Sequence, residues 1–262
     1  MPLGRFSGHR FFGALRYIDT GVPAVSDSHD GRKGEIAGRL DAVRTRIAAA
    51  CNAAGRASDE VTLIAVTKTY PVSDIQLLCE LGACDIGENR DQEAAPKAAE
   101  CAALGVPVTW HFVGQLQTNK VASVVSYASV IHSVDRLRLV GALGSRARQA
   151  GRPVTCLVQV SLDGDPDRGG AFGPQITAVA DAIAAEEGLA LGGVMAVAPL
   201  GSDAGEAFRQ LAKVADAIRS AHPGAVMISA GMSADLEQAI EAGATHVRVG
   251  TALLGGRRAF VR

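Results

Sequence analysis

The sequence predicts an α/β protein folded as a single closed TIM-type (β/α)8 barrel, on three observations. Eight short apolar runs rich in β-branched residues alternate with helical segments, most of those segments close on glycine, and no long interruption separates one pair from the next. Strand then helix, repeated about eight times, implies parallel strands with crossover helices, and the count favours a closed barrel over an open doubly wound sheet. The first run leads into "TKTYPVS" rather than a glycine-rich dinucleotide turn, which weighs against a Rossmann sheet.

Residues 1–33 carry Arg5, Arg10 and Arg16, scattered aromatics and the polar "SDSHDGRKG". They are expected to be a disordered extension, with an N-terminal address as the alternative. "GEIAGRLDAVRTRIAAACNAAG" spaces Ile36, Leu40, Val43, Ile47 and Ala50 by three and four, which predicts an extra leading helix stopped by Gly55. The strands follow in order: "VTLIAVTK", "CDIGEN", "VTWHFVGQ", "SVIHSVD", "VTCLVQVSL", "LGGVMAVAP", "AVMISAG" and "THVRVGT". The segments between them, from "SDIQLLCELG" to "SADLEQAIEAG", read as helices. One domain over residues 35–262 is the expected organisation.

The apolar fraction of 48% with only 4% aromatics describes a core of small and aliphatic side chains. Twenty-six basic residues against 27 acidic ones give a net charge of −1, so no global field draws nucleic acid or an anionic membrane, and any anion site must be local. Five cysteines without CxxC spacing argue against a disulfide framework and against zinc. A reduced, cytoplasmic setting is expected, with no metal. The most apolar run, "GLALGGVMAVAPLG", is too short for a bilayer. Closing the barrel leaves no sheet edge in need of a partner, so a monomer is expected.

In such barrels the site lies where the strands end, which selects the residues closing each run: Lys68, Glu88 and Asn89, His111 and Gln115, His132 and Asp135, Gln159 and Ser161, Met195, Ser229, and Arg248 with Thr251. Each alone has a plainer role, since a strand-end lysine also snorkels to solvent and a lone histidine usually packs in a core. The last two strand ends are more specific. "SAGMSADLEQAIEAG" sets Ser229, Gly231, Met232 and Ser233 in a turn that opens a helix, and "RVGTALLG" does the same with Gly250 and Thr251. Hydroxyls and helix N-termini on the last two strands make a phosphate cup without a lysine. Opposite it, burial beside Ile64 and Val66 is expected to desolvate the Lys68 ammonium and expose a nucleophilic amine. A phosphorylated carbonyl compound fits both features. That leaves two classes open, a pyridoxal 5'-phosphate (PLP) protein with Arg248 against the pyridine nitrogen, or a class I aldolase acting on a sugar phosphate.

Six stretches, "LIAVTKTYP", "IGENRDQE", "WHFVGQLQTNK", "IHSVDR", "GGVMAVAP" and "ISAGMSADLEQAIEAGATHVRVGTALLG", resemble in order and spacing the YggS/PROSC family of PLP homeostasis proteins. The resemblance covers about residues 35 to 257 and implies the fold type III PLP barrel of the alanine racemase N-terminal domain. It implies that Lys68 carries PLP as an internal aldimine, that Ser229, Gly250 and Thr251 hold its phosphate, that Arg248 faces the ring nitrogen, and that Asn89 lines the pocket. It further implies intracellular buffering of PLP, with PLP-dependent apoenzymes as partners, rather than catalytic turnover. An amino-acid racemase or decarboxylase is the alternative, but the pattern ends at Arg262, directly after the last barrel helix, where a racemase would need a C-terminal β-domain. Two features depart from the family: Gln115 stands where a proline is expected, and the segment before residue 35 has no counterpart.

Overall fold

Eight parallel strands close on themselves in sequence order in the computed structural model, which describes residues 25–165 and 168–256. After α1 (Val25–Ala53) come β1 (Thr62–Val66), α2 (Val72–Glu80), β2 (Asp85–Glu88), α3 (Asp91–Ala103), β3 (Thr109–Phe112), α4 (Val121–Tyr127), β4 (Val130–Val134) and α5 (Leu137–Ala150). The second half runs β5 (Val154–Gln159), α6 (Gln175–Ala185), β6 (Leu189–Met195), α7 (Ala204–Ala221), β7 (Met227–Ser229), α8 (Leu236–Glu241), β8 (His246–Val249) and α9 (Thr251–Leu254). Closure comes from β1 pairing with β8 in the register Thr62↔His246 to Ala65↔Val249. All eight expected strands form, and the barrel is the one that the alternation predicts.

α1 begins at Val25, so residues 25–33 fold as helix instead of belonging to an extension. Charges within that stretch anchor it: Arg32 donates to both carboxylate oxygens of Asp74 at 3.1 and 2.6 Å, and Lys33 reaches Glu80 at 2.6 Å, both on α2. The rest of the expected extension, residues 1–24, lies outside the described residues, as do residues 257–262 at the end of the expected domain.

Strand side chains alternate between the helix layer and the barrel interior. The outward set builds most of the apolar core. One cluster gathers Phe112, Leu139, Val158, Ile183, Phe208 and Leu211, and a second joins Ile36, Leu40, Ile75, Leu78, Val247 and Leu253 from both ends of the chain. The inward set is mixed. Val130, Leu157 and Met195 form a small apolar patch, while His111, His132, Ser229 and Arg248 are buried with them. His111, His132 and Ser229 are therefore interior residues, not members of the mouth.

Candidate active site

A cavity of about 470 Å³ opens at the C-terminal ends of the strands, lined among others by Lys68, Asn89, Arg248, Gly250 and Thr251. Five of the six residues expected to hold the cofactor thus meet in one place. The volume lies in the range of roughly 300–1,000 Å³ usual for cofactor and small-molecule sites.

Lys68 sits two residues past β1, and the backbone beneath it is held tightly. Thr67 donates from Oγ1 to Glu88 Oε1 at 2.7 Å, and Lys97 Nζ bridges Glu88 Oε1 at 2.6 Å and the Thr67 carbonyl at 2.8 Å. Burial raises the Glu88 pKa, against the opposing charge and hydrogen bond of Lys97. Next in sequence, Thr69 takes φ 70°, the left-handed region a β-branched residue avoids, and its N–H is held by Glu93 Oε2 at 3.0 Å. This turn aims Lys68 into the cavity. The lysine itself is exposed rather than buried beside Ile64 and Val66 as expected, because the side chain has already left the strand.

Asn89 follows directly on β2, and its Oδ1 is buried without a hydrogen-bond partner. An orphaned acceptor in a cavity wall costs about 1–3 kcal/mol and marks where a donor belongs. Gly114 also lines the cavity, and a Cβ there would stand 2.0 Å from the Asn89 carbonyl oxygen, so only glycine lets the ends of β2 and β3 approach this closely.

Arg248 forms the floor. Its Nη1 donates to Ser229 Oγ at 2.6 Å and its Nη2 to the Ala196 carbonyl at 2.9 Å. Burial lowers its pKa to about 10, against the attraction of Asp235, so the guanidinium stays cationic at neutral pH and can only donate. Ser229, expected at the phosphate, is instead wholly buried beneath the cavity, committed to Arg248 and, at 2.9 Å, to His132 Nδ1. Ser229 is the last residue of β7, and its side chain falls on the interior side of the strand. The turn that follows supplies Met232, Ser233 and Ala234 to the wall, made possible by Gly231 at φ 87°, where a Cβ would meet Ala239 Cβ at 2.6 Å. The Arg248 N–H donates to the Gly231 carbonyl at 2.9 Å, locking this turn to the Gly250–Thr251 turn beside it.

α8 and α9 have only six and four residues. Their macrodipoles are correspondingly small, and any anion held here depends on the hydroxyls of Ser233 and Thr251 and on local N–H groups. Gln115, Asp135 and Gln159 gather elsewhere on the same mouth, around Gly169. Sequence reasoning picked out Glu88 but missed its partners Thr67 and Lys97; the signal that could have found Lys97 is its place beside Ala94 and Ala98 on the buried face of α3.

The fold and this cavity define a barrel of the kind described as the alanine racemase N-terminal domain, and that family's profile matches residues 39–258. The pyridoxal phosphate homeostasis protein of Mycobacterium tuberculosis (strain H37Rv) is 44% identical over 255 residues, covering 90% of this chain and 98% of the relative. Its Escherichia coli K12 counterpart is 36% identical over 227 residues, covering 85% and 97%. The chain belongs to the family of pyridoxal phosphate homeostasis proteins. Among solved structures, PipY of Synechococcus elongatus with PLP bound superposes with a TM-score of 0.74 at 34% identity, over 84% of this chain and 100% of that one. The alanine racemase of Clostridium difficile, at 13% identity and a TM-score of 0.66, shares the fold; the match covers 87% of this chain and 58% of that enzyme.

Proposed function

We propose that this protein binds PLP in the cavity at the barrel mouth and holds it for PLP homeostasis, with Lys68 as the covalent attachment point. The observation that carries the reading is the meeting of a primary amine, a donor-only guanidinium and the orphaned Asn89 acceptor in one cavity. PLP supplies an aldehyde with which a primary amine condenses, releasing water. The Thr67–Glu88–Lys97 triad and the Thr69 turn fix the root of Lys68, so its amine need only swing. Ser233 and Thr251 would hold the phosphate by their hydroxyls, with Gly250 allowing close approach. Arg248, a donor-only group, would face the ring nitrogen and hold it unprotonated, which would weaken the electron sink that amino-acid chemistry needs.

Holding is favoured over turnover by the lining itself. Among the described lining residues, Tyr70 donates to the Gly255 carbonyl at 2.7 Å and Arg248 is committed to Ser229 and Ala196. That leaves Lys68 to move a proton, whereas racemisation calls for a base on each face. The proposed setting is a cytoplasmic monomer that passes PLP to apoenzymes. The five free cysteines and the closed sheet support it, and no described helix is long and apolar enough to cross a membrane.

Mixing the protein with PLP is expected to give a visible absorption band that Lys68→Ala abolishes, and borohydride reduction should fix a pyridoxyl group on the Lys68 peptide. An unchanged band in Lys68→Ala sinks the assignment. Steady racemisation or decarboxylation of any amino acid by the wild type would make it an enzyme instead.

A further inference from the structure

Arg248 is a buried cation, 5% exposed, whose side-chain hydrogen bonds go to no carboxylate, yet it is not stranded. From its Nη1 a single file of hydrogen bonds runs down the barrel interior. Ser229 Oγ lies 2.9 Å from His132 Nδ1, His132 Nε2 lies 3.0 Å from His111 Nδ1, and His111 Nε2 lies 3.0 Å from Asp85 Oδ1. Asp85 opens β2 at the opposite end of the barrel, where it lines a second cavity with Arg44 and Thr62. The file therefore joins the cofactor cavity to the far face of the molecule.

The two ends fix the direction of every bond. A guanidinium can only donate and an ionised carboxylate can only accept. Arg248 donates to Ser229, the Ser229 hydroxyl to His132 Nδ1, His132 Nε2–H to His111 Nδ1, and His111 Nε2–H to Asp85. Both imidazoles are then neutral with the proton on Nε2, a tautomer set by the network. The reverse direction would need a cationic His111, a second charge in the same dry interior as Arg248, with the His132 and His246 rings 5.2 and 6.4 Å away. Independently, burial and then His111, Arg248 and His246 keep the His132 pKa well below its ordinary value.

We propose that Asp85, His111, His132 and Ser229 form a positioning relay that fixes the Arg248 guanidinium at the cavity floor and links it to the Asp85 carboxylate across the barrel. The relay holds Arg248 in one orientation, so that the ring nitrogen meets an N–H that cannot turn away. Its role toward PLP rests on the function proposed above, while its existence does not.

The test has two arms. In the PLP-free protein, nitrogen-15 NMR of the histidine side chains should find His111 and His132 each with a proton on Nε2 and none on Nδ1. A doubly protonated His111, or a proton on His132 Nδ1, overturns the proposal. In the second arm Asp85→Ala, made at the open end of the barrel where packing is spared, should shift the His111 Nε2–H signal. It should also move the visible band of the PLP-loaded protein and weaken PLP binding by about tenfold, the loss of one net hydrogen bond at about 1.4 kcal/mol. Asp85→Asn, which keeps an acceptor oxygen, should restore the histidine signals and most of the affinity. An Asp85→Ala protein matching wild type in both the histidine and visible spectra overturns the relay. A wild type with no Lys68-dependent band sinks the functional reading alone, and the NMR arm still decides the relay.

Discussion

Thr69 holds a backbone conformation that costs a β-branched residue roughly 1–3 kcal/mol, and it sits next to Lys68. Thr69→Gly should therefore raise the stability of the PLP-free protein by about 1 kcal/mol while weakening PLP binding, because the loosened turn no longer aims the amine. Urea unfolding and a PLP titration together check it, and tighter binding would refute the aiming role. Gly114→Ala works the other way: its Cβ must displace the Asn89 carbonyl, and a loss of about 1–3 kcal/mol is expected by urea unfolding. At this scale Lys68, Asn89 and Arg248 were legible because each breaks or ends an apolar run. Ser229 was misread because a polar residue two positions before a glycine turn can still face the barrel interior. The exposure of Lys68 was invisible too, since it depends on how two residues leave a strand.

α1 is the element that braces the site from behind. Arg46 donates to Glu237 Oε1 at 2.7 Å and Oε2 at 2.9 Å and to the Ser233 carbonyl at 3.0 Å, and Arg32 donates to the Leu254 carbonyl at 3.2 Å. One helix thus grips the Ser233 turn and the far end of α9, the short helix that Thr251 opens. Arg46→Met should leave the visible band in place but weaken PLP binding by about 0.5–1 kcal/mol, within the scale of a half-exposed ion pair. A titration that matches wild type would remove α1 from the site. The strands and the leading helix were legible from apolar spacing. The start of α1 was not, because the apolar spacing begins only at Ile36, and before it Arg32 and Lys33 pair with α2 through charge. Helix lengths after β7 and β8 were also hidden, so the phosphate cup was credited with dipoles that α8 and α9 are too short to supply.

For the whole molecule, the polar interior sets the response to acid. Burial, with a further push from His111 and against a pull from Asp85, lowers the His246 pKa from 6.5 to about 4, and His132 is lowered in the same direction. Unfolding lets both rings take up protons at their ordinary values, so the native state loses stability as pH falls from 6.5 toward 4. Above 6.5 this contribution is fully present. His246 alone accounts for about 3 kcal/mol across that window. Glu88 opposes the trend, because its raised pKa makes the folded state the better proton binder. Urea midpoints measured from pH 7 to 4 should fall, and the fall should shrink in His246→Gln.

The strand seams are unequal. β5 and β6 share six registered pairs, whereas β7 and β8 share one, Ser229↔His246. The apolar cluster under the well-paired strands comes from residues 112–244, but the other draws on Ile36 and Leu254 together and must wait for the chain ends to meet. Loop-closure entropy makes that second half the later one to assemble. Lys68, Asn89, Arg248 and Thr251 all belong to this late half. The cavity should exist only once the last seam has shut, so that cofactor capture reports completed folding. Hydrogen exchange offers the check: amides of β1 and β8 should exchange faster than those of β5 and β6, and PLP should slow the former most.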